Sequence, residues 1–231
     1  MPVDQAFGLE ALRSCALFRG IDEPTLALVA QSLHLRRFRR QEVVFHQGDP
    51  GDSLYVIESG RVKIVLPSTE GDEAIIATLQ RGDFFGELAL LDAAPRSATA
   101  TAIEPTRALV LTREPFLRLV DTQASLRNAL LAALTTELRR LTRHVEELHF
   151  LDLGGRLAMR LARLAWEADP TASEVRLGWP YTQSDLAAMI GGTRQSVNRL
   201  LGGLVADGLV RFEGDAIVIR DVGKLAAIAE R

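Results

Sequence analysis

The chain has 231 residues, of which 47% are hydrophobic and 25% charged, and a formal net charge of −3. That length suits one large or two modest globular domains with a true core, and that charge excludes a globally basic nucleic-acid coat while leaving room for one basic face. A single cysteine, Cys15, excludes an internal disulfide and any multi-cysteine iron–sulfur or zinc site made by one chain, so a reducing cytoplasm is the expected setting.

The opening MPVDQAFGLEALRSC carries Asp4 and Glu10 where a secretory signal would be basic and then apolar, and no run of about 18 apolar residues follows. A soluble, cytoplasmic chain without a membrane partner is expected. Asp22-Glu23-Pro24 opens a helix on which Leu26, Val29, Ala30 and Leu33 recur at helical spacing. From Arg37 to Leu111 the texture changes: EVVFHQGD, SLYVIESGRVKIVL, EAIIATL and ATATAI are β-branched runs divided by Gly, Asp and Pro, as in an all-β barrel or sandwich. Ser59-Gly60 reads as a hairpin turn.

Past Pro115 the chain turns helical. Leu131, Leu134, Leu138, Leu141, Val145 and Leu148 follow a 3-4-3-4-3 spacing, the seam of a two-stranded coiled coil, flanked by Glu137, Arg139, Arg140, Arg143, Glu146 and Glu147. A helix packed on its own domain also needs one apolar stripe; self-association is the favoured reading. Gly154-Gly155 is expected to break this helix and mark the boundary before the amphipathic RLAMRLARLAWEA. EVRLGWP then reads as a strand, TQSDLAAMIGGTRQSVNRLLGGLVADGLV as two short helices around Gly191-Gly192, GLVRFEGDAIVIR as a hairpin turning at Glu213-Gly214-Asp215, and VGKLAAIAE as a closing helix.

Two constellations bear chemistry. In the C-terminal one, Thr182 suits the N-cap of a first helix, with Asp185 three residues on and Leu186, Ala187 and Ile190 facing inward; Thr193 suits the cap of a second. On that second helix Val197, Leu200, Leu201 and Leu204 share one side, and Arg194, Gln195, Asn198 and Arg199 the other, because residues four apart differ by only about 40° around the axis. Arg pairs with guanine, Gln and Asn with adenine, and helix N-termini such as those at Thr182 and Thr193 accept phosphates. A helical hairpin with a merely solvated polar face has a similar composition; the Gly-Gly turn, the tight helix lengths and the two-stranded wing favour DNA recognition. Joined to a self-pairing helix, it implies a homodimer reading a palindromic double-stranded site.

The second constellation is FFGELALLDAAPRSATATA, Phe84 to Ala102. Gly86 permits close backbone approach, Glu87 to Leu91 suit one helical turn whose first amides face an anion, Arg96 offers a planar fork for phosphate oxygens, Ser97 a hydroxyl, and Glu87 an acceptor for a sugar hydroxyl. Together they describe a ribose-phosphate cradle, with about 1.5–3 kcal/mol from each charge-assisted contact.

FGELALLDAAPRSATA resembles the phosphate-binding cassette of cyclic-nucleotide-binding domains, QGDPGDSLYVIESGRVKI resembles the strands that precede it, and the C-terminal half is similar to the winged helix of bacterial regulators. The combination resembles the CRP/FNR family of transcription factors along nearly the whole chain. The resemblance implies an α+β fold: an N-terminal β-barrel or jelly-roll sensor domain over 1–120, a dimerisation helix over 121–152 and a winged helix-turn-helix over 153–231. It implies that Gly86, Glu87, Leu88, Arg96 and Ser97 bind the cyclic phosphate and ribose of a 3′,5′-cyclic nucleotide.

In cyclic-AMP-binding members two adjacent hydroxyl residues of the dimer helix contact adenine. Alignment through Phe150 to Asp152 puts Leu141 and Thr142 there, and only Thr142 keeps the hydroxyl; cyclic AMP is expected ahead of cyclic GMP. Arg194 and Arg199 match the family's guanine and phosphate readers. Gln195 stands where Glu is usual, so the half-site is expected to depart from TGTGA at that position. Ligand at Arg96 is expected to draw the sensor domain toward Leu141 and Thr142 and turn the helix-turn-helix pair to face successive major grooves. The loop from Pro170 to Ser173 is a candidate contact for RNA polymerase.

No metal, haem or iron–sulfur cluster is expected: His34, His46, His144 and His149 are haem ligands only by residue type. No catalytic residue is expected either, since neither a Ser/His/Asp nor a metal-spaced cluster emerges. Two alternatives stay open: the same architecture acting without ligand and controlled by abundance, and a cyclic-nucleotide-binding regulatory subunit whose C-terminal domain binds protein.

Overall fold

The computed structural model describes residues 5–229; Asp4 and Glu230, used above, lie outside them. The chain forms two compact units that divide between Leu138 and Arg139.

The first unit opens with α1 (Gln5–Ser14), a 3-10 turn (Ala16–Phe18) and α2 (Glu23–Gln31). Asp22 starts α2 as anticipated: its carboxylate accepts from the Thr25 amide at 3.0 Å and the Thr25 hydroxyl at 2.9 Å. Eight strands follow, β1 (His34–Phe38), β2 (Val43–Phe45), β3 (Ser53–Ser59), β4 (Val62–Pro67), β5 (Glu73–Leu79), β6 (Phe84–Phe85), β7 (Thr99–Ala102) and β8 (Thr106–Thr112), with α3 (Leu88–Asp92) between β6 and β7. They make two antiparallel sheets, β1-β8-β3-β6 and β2-β7-β4-β5, the double-sheet arrangement of a jelly roll. The helices α4 (Arg113–Thr122) and α5 (Ala124–Phe150) come next.

The strand β3 shows why its sequence is almost wholly apolar. Tyr55 and Ile57 face the core between the sheets with Phe38, Val62, Phe85 and Val110, while Leu54 and Val56 face a second core shared with α1, α2, α4 and the start of α5. A strand covered on both faces loses the alternation of a half-buried one. The same geometry corrects the hairpin expected at Ser59-Gly60: β3 and β4 do not pair but belong to different sheets, so Gly60 turns a corner between them. Cys15 is buried in the second core, where burial pushes its thiol up to about 11.

The second unit holds the rest of α5, then α6 (Leu153–Ala168), β9 (Val175–Gly178), α7 (Gln183–Ile190), α8 (Arg194–Ala206), β10 (Val210–Glu213), β11 (Ala216–Ile219) and α9 (Val222–Ala229). The break expected at Gly154-Gly155 falls earlier, after Phe150. Asp152 caps α6 by accepting from the Gly155 amide at 2.7 Å, and both glycines lie in the first turn of α6. Gly155 is buried there, packed against the Ala229 backbone, which a Cβ on it would meet at 3.4 Å. The strands form a sheet in the order β10-β11-β9, with Glu213 opposite Ala216 across the tight turn Gly214-Asp215.

Candidate functional site

In the first unit, Gly86 leaves β6 with φ +85° and passes the chain into α3. A Cβ there would stand 2.6 Å from a terminal nitrogen of Arg96, so a side chain at this position meets both strain and collision. Arg96 is 4% exposed. Its Nη1 donates to the Gly86 carbonyl at 2.8 Å and its Nη2 to the Ser53 carbonyl at 2.9 Å, and the guanidinium lies 4.2 Å over the ring of Phe45 and 5.8 Å from that of Tyr55. Nε is buried and meets no acceptor. Burial pulls the Arg96 pKa below the ordinary guanidinium value, opposed by Tyr55, Asp52, Glu87 and Asp49.

The segment around Arg96 is stitched to the β2–β3 loop. The Arg96 amide donates to the Asp49 carbonyl, and the Gly48 amide to the Arg96 carbonyl, each at 2.9 Å. A Cβ on Gly51 would lie 2.1 Å from the Cβ of Ala89, which brings this loop against α3. Beneath, Phe45, Tyr55 and Phe85 form a ring cluster, Tyr55 stacked on Phe85 at 5.0 Å.

Glu87 is the N-cap of α3, and its carboxyl is held above the ordinary carboxylate value chiefly by burial. Leu88 and Ser97 are exposed beside it. The fold therefore gathers Gly86, Glu87, Leu88, Arg96 and Ser97 at one corner of the sheets. Sequence reasoning missed Ser53, whose main-chain carbonyl takes part, and the rings of Phe45, Tyr55 and Phe85, which a lone aromatic in a strand does not announce. Leu141 and Thr142 belong to the second unit, half-buried and exposed respectively on α5.

On α5 the apolar stripe divides. Leu126 and Leu130 are buried in the first unit's core and Leu134 packs partly against it, whereas Leu131 (62%), Leu138 (66%), Val145 (52%) and Leu148 (43%) face outward.

In the second unit α7 and α8 form a helix-turn-helix. A capping box starts α7: the Asp185 amide donates to Thr182 Oγ1 at 3.0 Å, and the Thr182 amide to Asp185 Oδ2 at 2.9 Å. Gly191, at φ +66°, ends it, and a Cβ on Gly192 would stand 2.7 Å from the tip of the Leu153 side chain, which would have to shift to admit it. Thr193 caps α8, accepting from the Ser196 amide at 3.1 Å. Val197, Leu201 and Leu204 are buried and Leu200 half-buried, while Arg194, Gln195, Asn198 and Arg199 are exposed together. The exposed face presents side-chain hydrogen-bond donors to solvent.

Among the described residues no group of His, Cys, Asp and Glu is placed to hold a metal ion, and no helix is long and apolar enough to cross a membrane. Comparison with known proteins finds the cyclic nucleotide-binding domain model over residues 35–123 and the Crp-like helix-turn-helix domain model over residues 155–228. The chain is 32% identical over 218 residues to a CRP-like cAMP-activated global transcriptional regulator of Mycobacterium tuberculosis, covering 94% of this chain and 97% of that one. It is 31% identical to the cyclic AMP receptor protein of Thermus thermophilus over 94% of this chain and 98% of that one. The solved structure of FixK2 from Bradyrhizobium japonicum shares the fold, with a TM-score of 0.76 over 84% of this chain and 96% of that one at 23% identity.

Proposed function

The chain belongs to the CRP/FNR family of transcriptional regulators, and on that premise we propose that it is a homodimer whose affinity for a palindromic DNA site is set by a 3′,5′-cyclic nucleotide held at Arg96. It is a regulator and not an enzyme.

The observation that carries the reading is the buried Arg96 guanidinium with an unanswered Nε, set between Gly86, Glu87 and Ser97. A buried donor left without an acceptor costs roughly 1–3 kcal/mol, which an anionic oxygen would recover. We assign the cyclic phosphate to Arg96, Gly86, Leu88 and Ser97, the ribose hydroxyl to Glu87, and the purine to the α5 segment of Leu141 and Thr142. Cyclic AMP is the leading effector, since the relatives named above are a cAMP-activated regulator and a cyclic AMP receptor protein. Arg194, Gln195, Asn198 and Arg199 would read bases, and the caps at Thr182 and Thr193 would meet phosphates.

Coupling needs only that nucleotide bind the DNA-competent state more tightly. Moving a population from 1:99 to 99:1 takes about 5.5 kcal/mol of differential affinity, shared by the two sites of a dimer. RNA polymerase is assigned to the exposed turn after Asp169, whose carboxylate accepts from the Thr171 and Ala172 amides at 2.9 and 3.1 Å.

One observation favours a second reading. Both terminal nitrogens of Arg96 already donate to main-chain carbonyls, so Arg96 also fits a purely architectural part in a ligand-independent regulator. Calorimetric titration of nucleotide-free protein with cyclic AMP and with cyclic GMP separates the two. Micromolar binding that Arg96→Lys abolishes supports nucleotide control; no heat from either nucleotide rejects it and leaves a regulator controlled by abundance.

A further inference from the structure

Around Arg96 the first unit gathers carboxylates from three elements. Glu87, the N-cap of α3, is half-buried, and its charge and that of Arg96 act on one another. Asp49 and Asp52, on the loop between β2 and β3, act on the same guanidinium. The third element is α5. Leu126, Leu130 and Leu134 run in one row onto the core that Leu90 and Leu91 of α3 share, and Glu137 is the next position of that row. Glu137 is half-buried, and its charge acts on Glu87. Burial holds the Glu87 carboxyl above the ordinary carboxylate value, and Glu137 pushes the same way, while its own amide and Arg96 oppose. A second cation, Arg113, reaches α3 at the Ala89 carbonyl, at 3.3 Å.

We propose that Glu137 is a residue of the nucleotide site and that binding is coupled to a proton: as the cyclic phosphate settles on Arg96, the pair Glu87 and Glu137 takes up one proton from solvent. The inference rests on the nucleotide-binding reading above and deepens it. Arg96 is the cation that favours ionised Glu87. A phosphodiester brings one negative charge to that guanidinium, so Glu87 must share its cation with the ligand. Two carboxylates and a phosphate then repel one another, and coupled carboxylates relieve such repulsion by holding one proton between them as a pair.

The ribose hydroxyl favours the same state. It has one hydrogen to donate and lone pairs with which to accept. Between a carboxylate and a carboxylic acid it does both, donating to the first and accepting from the second. Between two carboxylates it satisfies one and adds nothing for the other, whose partial burial then costs more. The proton passes from solvent to a carboxylate oxygen, and no bond of the nucleotide is broken. Since the liganded site holds more protons than the unliganded one, affinity rises as pH falls through the window, above the ordinary carboxylate range, in which the two differ. For one proton the gain is at most about tenfold per pH unit.

The test is calorimetric titration of the full-length, nucleotide-free protein with cyclic AMP, in phosphate and in Tris, from about pH 6 to about pH 8.5. Buffers of different ionisation enthalpy report the protons exchanged, and a cyclic phosphodiester keeps its single charge over this range. Wild type is expected to take up protons, approaching one per site, and to bind more weakly as pH rises. Glu137→Gln, similar in size and a hydrogen-bond donor at every pH, is expected to bind roughly three- to tenfold more tightly at the alkaline end and to lose most of the uptake. Glu137→Asp, which keeps the charge, should keep the uptake. His46, exposed on the β2–β3 loop, is common to all three proteins, so its titration cancels in the comparison. No uptake by the wild type, or uptake that Glu137→Gln leaves unchanged, overturns the proton coupling, while binding that Arg96→Lys abolishes keeps the nucleotide reading intact. Failure of the wild type to bind nucleotide at any pH removes both.

Discussion

Arg96 and Gln195 are each single side chains whose chemistry depends on what their neighbours leave available. For Arg96 the neighbours take two of the guanidinium's directions, toward the carbonyls of Gly86 and Ser53, and a phenyl face takes a third. Nε, buried beside Gly51, is the nitrogen left without an acceptor, and we propose that an anion at this corner answers it. Gln195 has no such constraint: it is exposed on the first turn of α8. An amide both donates and accepts and pairs well with adenine, whereas a carboxylate only accepts and prefers the amino group of cytosine. Replacing Gln195 by Glu is therefore expected to move the selected half-site toward TGTGA at one base pair, by about 1–3 kcal/mol of discrimination. Selection from random DNA with both proteins measures this, and an identical preferred site would refute the assignment of Gln195 to base reading.

Elements here are set by their ends more than by their middles. The two helices of the helix-turn-helix are short, and α7 depends on a reciprocal cap in which the buried Asp185 carboxylate accepts from both the amide and the hydroxyl of Thr182, at 2.9 and 2.7 Å. Thr182→Ala removes the hydroxyl half and leaves a buried carboxylate with fewer donors, at an expected cost of about 1–2 kcal/mol. Urea unfolding should show this as a lower midpoint with little change in slope. An unchanged midpoint would mean that packing of Leu186, Ala187 and Ile190 holds α7 without its cap.

For the whole molecule the open question is what covers α5. Leu131, Leu138, Val145 and Leu148 leave a row of exposed apolar side chains on a helix whose other stripe is already used by the first unit's core. Between Leu131 and Val145 that row spans roughly 21 Å at 1.5 Å per residue. We propose a second copy of the same helix as the partner that covers it, and two-fold pairing would present two recognition helices to a palindrome. Charges placed in the row, Leu131→Glu with Val145→Glu, are expected to convert the dimer to a monomer in sedimentation velocity. Affinity for a two-half-site duplex should fall at least a hundredfold through lost bivalency, while the melting temperature changes little. A variant that still sediments as a dimer would place the interface elsewhere.

Local chemistry was legible in the sequence wherever the cause was itself local. The caps at Asp22, Thr182 and Thr193, the Gly191-Gly192 turn, the two-faced second helix and the turn of helix after Gly86 all arise from residues within a few positions of one another. Tertiary structure decided what depends on distant segments. Ser59-Gly60 looked like a hairpin because only pairing with β8, some fifty residues on, shows that β3 belongs to the other sheet. Gly154-Gly155 looked like a break because the segment that packs on Gly155, at Ala229, lies far along the chain. The same holds for Arg96, whose partners at Phe45, Ser53 and Tyr55 are brought to it by sheet closure: residue type names the charge, but only the fold determines which of its nitrogens stays unanswered.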